Sequence, residues 1–308
     1  MRFKKIGIFT GVLIGISLLS VGSPVVGEMV ASMAPVYTRK EELLPTTLGL
    51  PFERVAFPTT DGLILRGWFF PSVTETAPAI LYAPATAHDQ RSGLSLVEPL
   101  HKAGYHVLLF SYRGHGNSDG DRFGFTYGAV ERKDVDAAVR YLYEERRIHR
   151  IGAIGHSAGA VSIILSGSNN PHLGAIVAAS PFASLEEIWE TSRPRLYPRF
   201  LFRLIFWLSE QRKDFSRDQV RPEDVIGNLS PRPLLLVHGS EDARITREQA
   251  IRLFARANNP KKLWIIQDAT HEGVRNPGLD SMVNQIINFF DVSLRNPITD
   301  RQGSIKID

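Results

Sequence analysis

The chain has 308 residues, of which 43% are hydrophobic and 22% charged, so its composition is that of a globular protein and excludes wholesale disorder, a collagen-like fibre and a polytopic membrane protein. Basic residues outnumber acidic ones by only 36 to 32, and three of them, Arg2, Lys4 and Lys5, lie at the start of the chain, so the nearly neutral body does not predict a nucleic-acid surface. Because there is no cysteine, disulfides, thiolate metal sites and a thiol nucleophile are excluded.

The first predicted element is the uncharged segment at residues 6–27, which follows the basic start. Its 22 residues are enough to cross a bilayer as a helix, which takes roughly 20. We therefore predict a transmembrane anchor within residues 1–34 and a linker at 35–52, with the basic start inside and the body on the non-cytoplasmic side. The alternative is a secretory signal that is cleaved near Ser32-Met33-Ala34 and releases the protein.

From residue 53 the chain alternates short apolar strands with helices. Strands are predicted at 54–57, 63–70, 79–83, 106–111, 151–154, 173–179, 234–237 and 263–266. Helices are predicted at 95–104, 129–145, 158–165 and 281–292. This alternation predicts a mostly parallel sheet that is covered by helices on both faces. We expect one domain at 53–295, with an insertion at about 183–226, and a flexible tail at 296–308.

The strongest chemical signal is Gly155-His156-Ser157-Ala158-Gly159, which lies between a predicted strand and a predicted helix. A Gly-x-Ser-x-Gly pattern in that setting is typical of a nucleophile elbow. Its small residues allow a tight turn that exposes the serine hydroxyl at the end of the strand. The N–H of Ala158, at the start of the helix, then points towards an oxyanion. We therefore predict that Ser157 is a nucleophile.

A serine hydroxyl needs an adjacent base to become nucleophilic, and two later loops carry suitable groups. Residues 238–242 (His-Gly-Ser-Glu-Asp) and 267–273 (Gln-Asp-Ala-Thr-His-Glu-Gly) each follow a predicted strand. Because the carboxyl ends of parallel strands share one edge of a sheet, both loops are expected to meet the serine. The candidate bases are His271 and His238, and the candidate acids are Asp242 and Glu241.

With these motifs in this order, the chain resembles the α/β-hydrolase superfamily, in its serine-hydrolase branch, over roughly residues 50–294. The matching stretches are Thr60-Asp61-Gly62 with Gly67-Trp68, Tyr-Arg-Gly-His-Gly-Asn-Ser at 112–118, the segment at 155–159, the loop at 238–242 and Thr270-His271. The resemblance implies an α/β fold with a mostly parallel eight-stranded sheet, helices on both faces and a small helical cap. No metal or other cofactor is predicted.

Carried over by position, the resemblance implies a catalytic triad. Ser157 is the nucleophile, His271 the base and Asp242, three residues after Gly239, the acid. His271 would accept the serine proton and later give it to the leaving group, while Asp242 would hold the imidazole in the required tautomer. His238 remains the rival base and Glu241 the rival acid.

The sequence departs from the family after the third strand, where the family usually has His-Gly. Here Pro84 occupies the glycine position. Proline has no N–H, but the donor belongs to the next residue, so the oxyanion hole is predicted at the backbone N–H groups of Ala85 and Ala158. The substrate pocket is predicted to be lined by Thr86, His88, His156, Phe202 and Phe206.

The insertion contains a helix that is apolar nearly all round, predicted to start at Pro198. One interpretation is a helix packed over the edge of the sheet. The other is a cap whose apolar side walls an acyl pocket and whose arginines, Arg199 and Arg203, meet lipid headgroups.

These features predict a serine hydrolase of carboxylic esters or thioesters that acts through an acyl-enzyme on small-molecule or lipid-like substrates, held at a membrane by its N-terminal segment. The alternatives are a non-catalytic binding protein of the same fold, or a serine aminopeptidase or acyltransferase. A peptidase is expected to place carboxylates in its cap to hold a substrate amine, whereas residues 191–213 of this cap include six basic residues and one acid. The oligomeric state is not predicted.

Overall fold

A computed structural model describes residues 44–121, 124–191, 193, 198–275 and 280–295. Its strands are β1 (Glu53–Pro58), β2 (Ile64–Phe70), β3 (Ala79–Ala83), β4 (His106–Phe110), β5 (Ile151–His156), β6 (Leu173–Ala179), β7 (Leu234–Gly239) and β8 (Lys261–Ile266). They form one eight-stranded sheet in the order β1-β2-β4-β3-β5-β6-β7-β8. The sheet confirms the predicted α/β-hydrolase fold.

Only β2 breaks the parallel arrangement, because it pairs antiparallel with both β1 and β4. The other neighbours, from β4 to β8, are parallel. All residues of β3, β4, β5 and β7 are buried, as expected for strands that are covered on both faces. The parallel strands therefore bring the loops after β3, β5, β6, β7 and β8 to one edge, which we call the carboxyl edge.

The helices are α1 (Leu94–Lys102), α2 (Arg132–Arg140), α3 (Ala158–Gly167), α4 (Leu185–Thr191), α5 (Arg199–Lys213), α6 (Pro222–Val225), α7 (Arg247–Arg256), α8 (His271–Arg275) and α9 (Asp280–Phe290). The predicted start of α2 at residue 129 was three residues early. The buried carboxylate of Glu131 instead accepts the N–H groups of Thr126 and Gly128, which holds the preceding residues in a turn. The helical path continues to residue 145 as a π-helical turn.

Two apolar clusters cover the two faces of the sheet. One contains buried residues of α2, α3 and α5, and the other contains buried residues of α1, α8 and α9. The segment between β6 and β7 carries α4, α5 and α6, and it leaves the sheet at the carboxyl edge. This is the predicted insertion.

The predicted anchor at residues 1–34 and the predicted tail at 296–308 lie outside the described residues. Within the described ranges, no helix has both the length and the apolar character that a bilayer span requires. The membrane anchor and the location of the domain on the non-cytoplasmic side stay predictions from the sequence.

Candidate active site

Ser157 sits in a strained turn between β5 and α3. Its backbone has φ 54° and ψ −121°, a region that residues with a side chain rarely adopt. The turn is held because the Ser157 N–H donates to the carbonyl of Ala179 on β6 at 2.8 Å, while its own carbonyl accepts from Val161 at 3.1 Å. Ser157 is half-buried at the end of an otherwise buried strand, so the turn presents its side chain at the carboxyl edge.

The two glycines that flank this turn are required by close backbone contacts. A Cβ on Gly155 would lie 2.6 Å from the carbonyl carbon of Gly159. A Cβ on Gly159 would collide with the carbonyl oxygens of Ala83 and Pro84 at the end of β3. The start of α3 therefore packs directly against the loop after β3, which is the loop predicted to supply Ala85.

Asp242 and His271 are joined by a buried hydrogen bond. The Nδ1 of His271 lies 2.7 Å from Oδ2 of Asp242, and both residues are buried. The other carboxylate oxygen, Oδ1, accepts the backbone N–H groups of Arg244 at 3.0 Å and Ile245 at 2.8 Å. These two backbone donors were not predicted from the sequence, although an aspartate at the start of a turn is a signal for such bonds.

The electrostatics favour an ionised Asp242. Burial by itself raises the pKa of this carboxyl group, but the hydrogen bond and the charge of His271 and the bond from Ile245 lower it, and the net pKa lies below its ordinary value. An ionised carboxylate only accepts hydrogen bonds, so the proton of the shared bond is on Nδ1 of His271. In neutral His271 the Nε2 atom then carries the lone pair.

Backbone contacts bring the loop of the acid and the loop of the base together. The N–H of Glu241 donates to the carbonyl of Ala269 at 3.0 Å, and that of Ser240 donates to Ile266 at 2.9 Å. The Ser240 hydroxyl accepts the N–H of Asp268 at 2.8 Å. These bonds set the position from which α8 begins at His271.

His156 connects the elbow to the loop of the base. Its Nε2–H donates to the backbone carbonyl of His271 at 3.0 Å, and the two rings lie 4.8 Å apart between centroids. Since His156 is the neighbour of Ser157 in sequence, this contact places His271 beside the elbow. The structure thus brings Ser157, Asp242 and His271 to one part of the carboxyl edge.

The rival base and the rival acid are placed differently. His238 is fully buried, and its Nε2–H donates to the carbonyl of Ile245 at 2.9 Å. Its Nε2 is 3.8 Å from Asp242 Oδ2, and burial lowers its pKa, so the ring is neutral. Glu241 is exposed and lies 3.5 Å from the Ser240 hydroxyl.

The loop after β3 turns sharply behind Pro84. The carbonyl of Ala85 accepts the N–H of His88 at 3.2 Å, and Ala87 has a positive φ of 61°. Ala85 and Ala158 are both buried. Ala158 is the first residue of α3, where a backbone N–H has no partner within the helix.

The predicted pocket residues do not form one group. Thr86 and His88 are half-buried on the loop after β3, where the Nδ1–H of His88 donates back to the Thr86 carbonyl at 2.8 Å. His156 lines a small apolar cavity between the sheet and the helices α8 and α9.

Phe202 and Phe206 are fully buried in the cluster on the other face, where Phe206 stacks on Trp189 of α4 with ring centroids 4.0 Å apart. Their side chains hold α5 onto the domain, as in the first interpretation of the insertion. They do not wall an open acyl pocket among the described residues.

Comparisons with known proteins agree with this architecture. The model of the prolyl oligopeptidase family matches residues 93–296. The protein Rv2307c of Mycobacterium tuberculosis is 30% identical over 70% of this chain and 71% of its own length. The protein YfhR of Escherichia coli O157:H7 is 28% identical over 80% of this chain and 82% of its own length.

Solved structures show the same fold at lower identity. The Pyrococcus furiosus esterase Pf2001 superposes with a TM-score of 0.70 at 23% identity, over 85% of this chain and 99% of its own. The α/β hydrolase GrgF from Penicillium superposes with a TM-score of 0.64 at 20% identity, over 80% of this chain and 99% of its own. At these identities the likeness shows the fold and not the substrate.

Proposed function

Because the chain belongs to the prolyl oligopeptidase family and has the α/β-hydrolase fold, it is a serine hydrolase, and we propose that it cleaves carboxylic esters or thioesters through Ser157, His271 and Asp242. The observation that carries the proposal is the buried 2.7 Å bond between His271 and Asp242, set beside a strained serine turn. Backbone strain costs free energy and is found mainly at functional sites. A strained serine beside a hydrogen-bonded acid and imidazole is therefore expected in a catalytic protein and not in a non-catalytic one.

The proposed reaction begins with attack of the Ser157 hydroxyl oxygen on the substrate carbonyl carbon. Nε2 of His271 takes the hydroxyl proton as the new C–O bond forms. The N–H groups of Ala85 and Ala158 are proposed to bind the oxyanion; such donors act without reorganisation because the fold has already oriented them. The Gly159 contact with the loop after β3 supports this pairing, because it holds the two donors' backbone segments against each other.

Collapse of the tetrahedral intermediate expels the alcohol or thiol, which receives its proton from His271. The acyl group stays on Ser157 as an ester. Water then attacks that ester while His271 removes the water proton, and a second collapse releases the carboxylic acid and restores Ser157. Ionised Asp242 stabilises the imidazolium in both steps.

Esters are favoured over peptides with a free amine by the charge of residues 191–213, which include six basic residues and one acid. Peptidases that grip a substrate amine need an unengaged carboxylate. Glu190 lies on α4, just before this segment, and its carboxylate is 3.8–4.0 Å from three arginines, Arg193, Arg199 and Arg203. The single acid of α5, Glu210, is buried and bonded to Arg217 at 3.0 Å. Peptide-bond cleavage is the second candidate, because the family is named for an oligopeptidase.

The test combines covalent labelling with two substrate series. The purified protein and its Ser157→Ala variant are treated with a fluorophosphonate probe and then assayed on p-nitrophenyl esters of rising chain length and on aminoacyl and prolyl p-nitroanilides. We expect labelling of the wild type alone, and turnover of esters well above anilides. Equal labelling of both proteins would refute Ser157 as the nucleophile, and faster anilide turnover would favour the peptidase.

A further inference from the structure

The outer face of α5 carries an exposed apolar stripe. Three of the six exposed large apolar side chains of the described residues lie there: Phe200 is 73% exposed, Leu204 44% and Trp207 52%. Their i, i+4, i+7 spacing puts them on one side of the helix. The inner side is already filled by Phe202 and Phe206, so the stripe is not needed to attach α5 to the domain. Exposed apolar groups that are clustered in this way mark an interaction surface.

The border of the stripe is cationic. The side chains of Arg199 and Arg203 are 73% and 67% exposed, and each lies 3.8 Å from the carboxylate of Glu190. That carboxylate is also 4.0 Å from Arg193. The single negative charge of Glu190 does not balance the two positive charges of Arg199 and Arg203, so the border of the stripe keeps a net positive charge.

The stripe belongs to the insertion that leaves the sheet at the carboxyl edge, directly after β6. This is the edge that holds Ser157, since the Ser157 N–H bonds to Ala179, the last residue of β6. When α5 binds a surface, the edge of the sheet that carries the candidate active site therefore faces that surface.

We propose that the outer face of α5 binds the surface of an anionic phospholipid bilayer. Phe200, Leu204 and Trp207 enter the boundary between headgroups and acyl chains, and Arg199 and Arg203 lie against the lipid phosphates. Helices with an apolar face and a basic border bind membranes in this way, and tryptophan favours that depth. The charge argues against a second copy of the chain as the occupant, because two such faces would bring like charges together.

The test uses the full chain and the emission of Trp207. The protein has four tryptophans, of which Trp68 and Trp189 are buried and Trp264 is half-buried. Phosphatidylcholine vesicles, with and without phosphatidylglycerol, are added, and the measurement is repeated with brominated lipids. We expect a blue shift and bromine quenching that need phosphatidylglycerol and disappear in Trp207→Phe.

The total amount of protein bound to vesicles does not test α5, because the uncharged segment at residues 6–27 is itself expected to bind lipid. The emission of Trp207 does test α5, because this residue lies on its outer face. Each arginine near an anionic surface contributes about 1 kcal/mol, or about a fivefold change in affinity. The double variant Arg199→Gln/Arg203→Gln is therefore expected to weaken the Trp207 response about 25-fold.

The matched control is Arg247→Gln/Ile251→Glu on α7, another exposed basic and apolar pair four residues apart, which is expected to leave the response unchanged. Phe200→Glu is expected to abolish it.

Three outcomes would overturn the proposal. The first is that no vesicle changes the Trp207 emission. The second is a Trp207 response that is equal without phosphatidylglycerol and unchanged in the double arginine variant. The third is a dimer in sedimentation that Phe200→Glu dissociates, while vesicles have no effect on the Trp207 emission. Turnover of a short soluble ester is measured in parallel. Since α5's outer face takes no part in the proposed chemistry, these variants are expected to keep that turnover, which separates this test from that of the catalytic function.

Discussion

Replacing Asp242 by asparagine tests the proposed triad because it keeps the shape of the side chain and reverses one hydrogen bond. Oδ1 accepts two backbone N–H groups, from Arg244 and Ile245, so the amide oxygen of asparagine must stay at that position. Its NH2 group then faces Nδ1 of His271, where Oδ2 lies now at 2.7 Å. Nδ1 is forced to accept, the ring proton moves to Nε2, and Nε2 loses the lone pair that takes the serine proton.

The expected loss is about 10⁴-fold in kcat, the size found when an aspartate of this kind becomes asparagine in a serine protease. This corresponds to about 5.4 kcal/mol of transition-state stabilisation at about 1.36 kcal/mol per tenfold change. The free energy of unfolding is expected to change by only about 1 kcal/mol, because the asparagine keeps all three hydrogen bonds in neutral form.

The assay is steady-state hydrolysis of a p-nitrophenyl ester, with the rate of fluorophosphonate labelling as a second readout and thermal unfolding as a check on the fold. Glu241→Gln is the matched control, since it removes the neighbouring exposed acid and is expected to act like the wild type. The reasoning is refuted if Asp242→Asn keeps kcat within tenfold of the wild type while unfolding normally, or if Glu241→Gln shows the large loss instead.

Three further outcomes are expected. His271→Gln should abolish fluorophosphonate labelling. His238→Gln should be labelled within about tenfold of the wild-type rate, since the His238 ring is hydrogen-bonded to a backbone carbonyl. The reverse result would make His238 the base. Gly159→Ala should lower the free energy of unfolding by about 1–3 kcal/mol and slow ester turnover about 10²–10³-fold, because the added methyl group displaces the loop after β3. Turnover at the wild-type rate would show that the loop after β3 takes no part in catalysis. Burial lowers the pKa of His115 and His238 below the ordinary value of 6.5. As the pH falls, these two histidines are therefore protonated in the unfolded chain before they are protonated in the folded protein. The free energy of unfolding should fall as the pH drops below about 6.5, by up to about 1.4 kcal/mol per pH unit for each histidine. His115→Gln should flatten that slope in thermal unfolding between pH 7.5 and pH 5, and an unchanged slope would contradict this cause.

Much of the fold was predictable because the signals are local. The limits of β3 and β6 agree with the predicted ones to the residue, since continuous apolar runs of five to seven residues between turns leave little choice. The helices α4, α6, α7 and α8 were missed. Three of them have only four to seven residues, too few to show a helical period, and α7 packs through tertiary contacts such as the ion pair of Arg252 with Glu187.

The candidate pocket shows where local patterns are insufficient. Phe202 and Phe206 were assigned to a pocket because the helix is apolar nearly all round, and a period of 3.6 residues cannot say which of two apolar sides faces the core. The structure decides it through the stacking of Phe206 on Trp189, which turns Phe200, Leu204 and Trp207 outwards.

The sequence by itself determined the order of the strands along the chain, the serine elbow and the two later loops with an acid and a histidine, because each is encoded within a few consecutive residues. The resemblance implied the pairing of Asp242 with His271, but local patterns left His238 and Glu241 as rivals, and the tertiary structure decided which acid meets which histidine. Asp242 and His271 are separated by 29 residues, and their distance depends on the pairing of β7 with β8 and on the backbone bonds between the loops that follow these strands. Those contacts are long-range, and no local pattern specifies them.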